Sequence, residues 1–442
     1  MRVLILAYDF PPLVRVGGFR PYSWYRYFGE FGIEPVVVTR QWENRYGDER
    51  DYVAPSASSE VIVERDEHGT ILRTPYRPNL SHRLLLRHGP ARYKSIRKAI
   101  TAWYEVGQYF FVIGPKKELY HAARSYLQHE RVDAIVETGE PFVLFNYATR
   151  LSSEFGVPWI ADFRDPWSHD SLSAGKRISP TWDERLELRF TRSASALVTV
   201  SEFFRDVISP LHAGKRIHIV RNGYDPEAAS RAAGVTQGGT RLTIAFAGSL
   251  YAWHPLESFL TVCERVVRQS GRELELRFVG VSGRSAVESL LASQCPLLAR
   301  HARLFDRLPN DQAAIELSRA NVFLIFNDYA TVGTKIYDYL ALKRKILLCY
   351  SADREALRLK ERYYNLQASP VGDDRPMERL IEDTSAGTVT RDQAHLEELL
   401  QELLDEFATS GRIACPSMGI ERFSRREQAG RLAEILGELK AS

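Results

Sequence analysis

Apolar positions along the chain fall into short β-branched runs: VLILAYDF (3 to 10), EPVVVT (34 to 39), DAIVET (133 to 138), PWIADF (158 to 163) and ALVTVS (196 to 201). Between them lie longer stretches in which apolar residues recur every three or four positions. That alternation is the βα rhythm of a parallel sheet. After His218-Ile219-Val220 and the turn Asn222-Gly223, the polar, glycine-rich stretch AAGVTQGGT (232 to 240) interrupts the rhythm. It then resumes with LTIAFAG (242 to 248), LELRFVG (274 to 280), NVFLIF (321 to 326) and KILLCY (345 to 350), and LESFLTVCERVV (256 to 267) has a clear helical period. The pattern predicts an α/β chain of two tandem Rossmann-like, doubly wound domains, 1–208 and 209–419, with an interdomain region near 205–240. An amphipathic helix over about 420–442 is expected to pack back on the first domain. Ligands of doubly wound sheets sit at the carboxyl ends of the strands, which for a tandem pair means the cleft between the domains.

A length of 442 residues with 44% hydrophobic content is enough for two such cores. The 59 basic and 56 acidic residues leave a net charge of only +3, which gives no electrostatic case for nucleic acid. Cys263, Cys295, Cys349 and Cys415 are far apart, with no C-x-x-C pair or zinc-like histidine spacing, so a reduced compartment and no structural metal are expected. Met1-Arg2 runs straight into a strand-like segment with no small-residue cleavage site, and no apolar run reaches spanning length. A cytoplasmic location is the expectation.

Three segments carry candidate chemistry. The first strand ends in Asp9-Phe10-Pro11-Pro12, and a loop with Gly17 and Gly18 then leads into RPYSWYRYFGEF. Glycines there allow backbone to approach a ligand, although a tight turn needs them equally. The segment PWIADFRDPWSHD (158 to 170) gathers Asp162, Arg164, Asp165 and Trp167 at a strand end, either as a reactive cluster or as an Arg164–Asp165 pair that pins the loop. In TVGTKIYDYLALKRKILLCY (331 to 350), Gly333 and Thr334 open a helix and Lys335 lies in its first turn. Free N–H groups at that helix start suit a diphosphate, and Asp338, one turn on, suits ribose hydroxyls. The plainer alternatives are a solvated lysine and a first-turn dipole partner.

Local charge departs from the global balance in residues 82–124, where nine Lys or Arg stand against Glu105 and Glu118. Arg92, Lys94, Arg97 and Lys98 fall close to Trp103, Tyr104, Tyr109, Phe110 and Phe111. Basic charge with amphipathic aromatics is the composition of an interfacial segment. A solvated helix face over a buried core would read the same way.

The ordered motifs YDFPP, Gly-Gly, TGEPF, GVPWIADFRDPW, LVTVSEFF, VRNGYD, AFAGSLY and TKIYDYLALKRKIL resemble family 4 of the glycosyltransferases (glycosyl transferases group 1), retaining enzymes of GT-B fold. The likeness spans nearly the whole chain. It implies retaining, metal-independent transfer from a nucleotide diphosphate sugar, with no other cofactor. The donor would be held by the C-terminal domain and a glycan or lipid-linked acceptor by the N-terminal one, in polysaccharide or lipopolysaccharide synthesis. Lipid-linked acceptors in turn favour docking of the 82–124 segment on the inner face of the plasma membrane. By position, Gly17 and Gly18 would lie against the donor phosphates or the transferred sugar, Thr331, Gly333 and Thr334 would supply amides, and Asp338 would be the second acid of the family's paired motif. Gly248, Ser249 and Tyr251 fall where the family has a glycine followed by a basic clamp, for which His254 and Lys335 are the nearest charges. The chain departs from the family at Ala330, where the first acid belongs and Asp328 is close, and at Phe145, in place of a histidine, with Glu140 nearby. The catalytic set expected is Glu140, Asp162, Arg164 and Asp165. A GT-B scaffold that binds nucleotide sugar without turnover is the alternative, and a nucleotide-sugar epimerase a more distant one.

Overall fold

The computed structural model describes residues 1–43, 49–168, 180–364 and 375–441. The end of the 158–170 segment, His169-Asp170, lies outside them. The chain divides into two compact units, one of residues 1–221 and 426–442, the other of residues 222–425.

In the first unit, eight strands form one sheet: β1 (Arg2–Leu6), β2 (Glu34–Arg40), β3 (Ile62–Arg65), β4 (Thr70–Thr74), β5 (Ala134–Gly139), β6 (Trp159–Phe163), β7 (Ala196–Thr199) and β8 (Ile217–Ile219). Their order is β3-β4-β2-β1-β5-β6-β7-β8, and all pairs are parallel except β3 with β4. The central strands are buried on both faces, which is why they read as continuous apolar runs with no alternation. Every residue of β3 is exposed, and this edge carries Glu64 and Arg65. Charge on an antiparallel edge strand discourages pairing with other chains and hides the strand from a hydrophobic pattern. The helix Arg425–Ala441 delivers Leu432 and Leu436 into the same core as Val3, Ile5 and Trp24.

The second unit holds β9 (Leu242–Ala247), β10 (Leu274–Val279), β11 (Ala302–Phe305), β12 (Val322–Phe326), β13 (Lys345–Cys349) and β14 (Gly387–Thr390). The order β11-β10-β9-β12-β13-β14 is parallel throughout. Strand order reverses between β9 and β12, and in the first unit between β1 and β5. Loops leaving adjacent strands in opposite directions open a crevice at each point, where ligands bind in such sheets. Among the described residues, no helix is long and apolar enough to cross a membrane.

Candidate functional site

At the reversal point of the second unit, β9 ends at Ala247 and the backbone turns through Gly248, which takes φ +82°, a conformation that disfavours any side chain. The turn brings the Ser249 carbonyl to 3.4 Å from Lys335 Nζ. Lys335 lies in the first turn of the helix Thr334–Leu342, and its ammonium sits 3.9 Å over the Phe246 ring. Burial lowers its pKa to about 8, against the pull of Asp328. The helix starts at Gly333, an exposed, extended residue with no side-chain cap, so no cap competes for the first-turn amides. Thr331 just upstream bonds through Oγ1 to the Asp328 carbonyl at 3.1 Å. A cation beside uncapped helix amides is an arrangement that fits a diphosphate.

Asp328 is itself held in place. Trp253 Nε1 and His254 Nε2 both meet its Oδ1 at 3.0 Å, and the Tyr364 hydroxyl donates to its backbone carbonyl at 2.6 Å. His254 therefore does not serve as the clamp the sequence suggested. It is 7% exposed, burial lowers its pKa, and its Nδ1 accepts the Tyr251 amide at 3.3 Å. With Nδ1 accepting, the neutral ring donates from Nε2 to the carboxylate. Lys335 is left as the cation facing Gly248 and Ser249. Asp338 is half-buried, and its pKa is raised to about 6, chiefly by burial and secondarily by Asp225, with Arg425 opposing. Ala330, where an acid was expected, is buried at 3% exposure.

The first unit has a cavity of about 270 Å³ at its own reversal point, lined by residues that follow β1, β5 and β6, Asp9, Glu140 and Arg164 among them. Asp9 Oδ1 is buried without a hydrogen-bond partner among the described residues, and desolvation raises its pKa against the pull of Arg164 and Arg15. Arg164 donates from Nη2 to the Glu140 carbonyl at 2.8 Å and from Nε to the Gly139 carbonyl, so it braces the β5 loop and does not depend on Asp165, which is exposed. Gly17 and Gly18 lie inside the helix Val16–Tyr27, and so correct the expectation of a loop. A Cβ at Gly17 would stand 2.1 Å from Arg164 Nη1 and 2.8 Å from Asp9 Oδ2; at Gly18 it would press on the Asp9 carbonyl at 3.3 Å. The glycines bring this helix against the cavity wall.

Asp162 is a further correction. It is 0% exposed on β6 and is gripped by Arg20 through Nη2 at 2.7 Å and Nε at 2.9 Å, while Arg20 Nη1 also donates to the Val220 carbonyl at 2.7 Å. Such a sealed pair organises the core and presents nothing to a substrate. Next to it on β5, Glu137 is fully buried with both oxygens unpartnered among the described residues, and its pKa is pushed well above the usual range by burial and by Asp162. It is therefore held neutral. Phe145 occupies the aromatic core with Phe142, Phe163 and Trp167.

The basic segment forms the helices Leu80–His88 and Lys94–Gly107. Arg92, Lys94, Lys98 and Trp103 are exposed, whereas Arg97 turns back to the Pro90 carbonyl. The sequence named Asp9 at a strand end and His254 near the Gly248 turn, but gave no sign that Asp9 Oδ1 lacks a partner among the described residues or that His254 and Trp253 meet Asp328. The donors to the Asp328 carboxylate come from 74 and 75 residues away.

Residues 22–228 match the family model described as Glycosyltransferase Family 4. No curated protein matches the chain. Among solved structures, sucrose-phosphate synthase from Thermosynechococcus elongatus aligns over 100% of this chain and 99% of its own, with a TM-score of 0.61 at 13% identity. A glycosyltransferase from Rickettsia africae covers 100% and 99%, with a TM-score of 0.56 at 12% identity. Anabaena HepE in complex with UDP covers 99% and 100%, also with a TM-score of 0.56 at 12% identity. Residues 22–228 thus match a Glycosyltransferase Family 4 domain, in a chain whose two α/β sheets, parallel except for the edge strand β3, have the GT-B fold.

Proposed function

We propose that the protein transfers a sugar from a nucleotide diphosphate sugar to a glycan or lipid-linked acceptor in cell-surface polysaccharide synthesis, with retention at the anomeric carbon and without a metal. The observation that carries this reading is Lys335, held against the Ser249 carbonyl at an uncapped helix start. Lys335 and the amides of Gly333 and Thr334 would take the donor diphosphate and stabilise its negative charge as the glycosidic bond breaks. Asp338 would accept from the ribose hydroxyls. Asp328, fixed by Trp253 and His254, would receive sugar hydroxyls in place of the acid absent at Ala330. In the first unit, Asp9 Oδ1 is the unpartnered acceptor that an incoming hydroxyl would meet. A nucleotide-sugar partner is supported by the solved complex of HepE with UDP, a protein of the same fold.

Calorimetry with UDP, GDP, ADP, CMP and their sugar conjugates tests the donor site, and no binding at all would remove it. Turnover of a bound donor in EDTA, with the product anomer read by NMR, tests retention and metal independence. Selective binding without turnover, even with candidate acceptors, would favour the scaffold reading, for which Ala330 and Phe145 stand.

A further inference from the structure

The loop after β9 carries an aromatic pair just beyond Ser249, whose carbonyl meets Lys335. Tyr251 and Trp253 stack with ring centroids 4.6 Å apart and planes 9° from parallel. Both rings lie outside the two apolar cores of the second unit, and Tyr251 is 47% exposed. Trp253 is fixed from two further directions: its Nε1 donates to Asp328 Oδ1 at 3.0 Å, and the Tyr364 ring meets it in a T-shaped contact at 5.3 Å. His254 stands 5.1 Å from the Tyr251 ring and 5.8 Å from the Trp253 ring, so it flanks the pair and leaves the outer face of Tyr251 uncovered. An aromatic face held in place and turned to water is a platform for an apolar surface of a ligand.

Asp328 lies beside this platform with half of its carboxylate free. Trp253 and His254 both donate to Oδ1, while no described residue hydrogen-bonds to Oδ2, and the side chain is 20% exposed. The ionised groups that act on Tyr251 and His254 are Asp328 and Lys335; Lys360, over the Tyr329 ring, acts on neither. With Lys335 engaged by phosphate, the charge left beside the platform is negative. A pyranose offers a face of C–H bonds, which suits the Tyr251 ring, and a rim of hydroxyls, which suits a carboxylate that only accepts. A sugar with its own carboxylate would set like charges against each other in a partly buried crevice, at a cost in affinity.

We infer that the outer face of Tyr251 and the free oxygen of Asp328 form the sugar subsite for the donor, and that together they select an uncharged pyranose over a uronic acid. This inference rests on the transferase reading.

Calorimetric titration of the full chain with UDP, GDP and ADP, and with the hexose and uronate conjugates of whichever binds, tests the subsite. Wild type should prefer the hexose conjugate to the uronate conjugate by about tenfold or more. Tyr251→Ala should weaken the hexose conjugate about tenfold and leave the free diphosphate unchanged, and Tyr251→Phe, which keeps the ring, should bind as wild type does. Asp328→Asn keeps an oxygen for Trp253 and His254 and turns the free one into an uncharged amide, so the gap between hexose and uronate should close. Retained binding of the free diphosphate shows that each variant is folded. Equal affinities of wild type for the two conjugates, or a gap that survives Asp328→Asn, overturn the selection. A Tyr251→Ala variant that loses the free diphosphate as much as the conjugate puts the ring on the nucleoside and overturns the subsite. These outcomes leave the transferase reading intact, whereas a wild type that binds no nucleotide overturns that reading and the subsite with it.

Discussion

Lys335 titrates near the working range because its ammonium lies over the Phe246 ring and away from water. Burial lowers its pKa from 10.5 to about 8, so the folded state holds this proton less tightly than the unfolded chain does. A bound diphosphate needs the charged form. Nucleotide affinity should therefore be steady below pH 8 and fall by about tenfold per pH unit above it, a slope that Lys335→Met should erase in calorimetric titrations. Asp338 has the opposite shift, raised from 3.8 to about 6 mainly by burial. Its folded form binds the proton more tightly, so its ionisation subtracts stability progressively as pH climbs from about 4 to about 6. Asp338→Asn should then raise stability by about 1 to 2 kcal/mol at pH 7.5 and change little at pH 4, while nucleotide affinity drops. Equal melting curves at both pH values would contradict this. Asp162→Ala should instead act on folding. It leaves the Arg20 guanidinium buried and uncompensated, at a cost of about 3 to 5 kcal/mol, which urea unfolding would register whatever the activity.

Elements with long, two-sided burial were legible from sequence alone: the runs that became β1, β2, β5, β6, β9, β10, β12 and β13 each show as apolar stretches. The edge strands β3, β11 and β14 were not, because each has only four residues, many of them polar or exposed. The loop expected at Gly17-Gly18 is helical because the glycines are needed for close approach to Asp9 and Arg164, a constraint set by space and not by turn geometry. Gly17→Ala should accordingly displace the mobile end of Arg164 more than the backbone. The expected result is a melting temperature within a few degrees of wild type and transfer reduced at least tenfold. Local backbone was legible where glycine announces it, as at the Gly248 turn and the Gly333-Thr334-Lys335 helix start; the roles of side chains were not, where a distant partner decides them. Asp162 and His254 look reactive in sequence, yet one is sealed by Arg20 from 142 residues away and the other is spent on Asp328.

At the scale of the whole molecule, the second unit is one continuous segment, 222–425, whereas the first is assembled from 1–221 and 426–442. Removal of residues after 425 strips Leu432 and Leu436 from the core around β1. Such a truncation should lose the cooperative melting of the first unit and keep that of the second, with nucleotide binding retained, as differential scanning calorimetry and calorimetric titration would show. The closing helix also orders events on the ribosome. The sheet made first must wait, with one face of its core open, while the sheet made second can already close. A message broken or a chain stalled short of residue 436 would thus yield a product whose second sheet is closed and whose first still lacks Leu436 of its core.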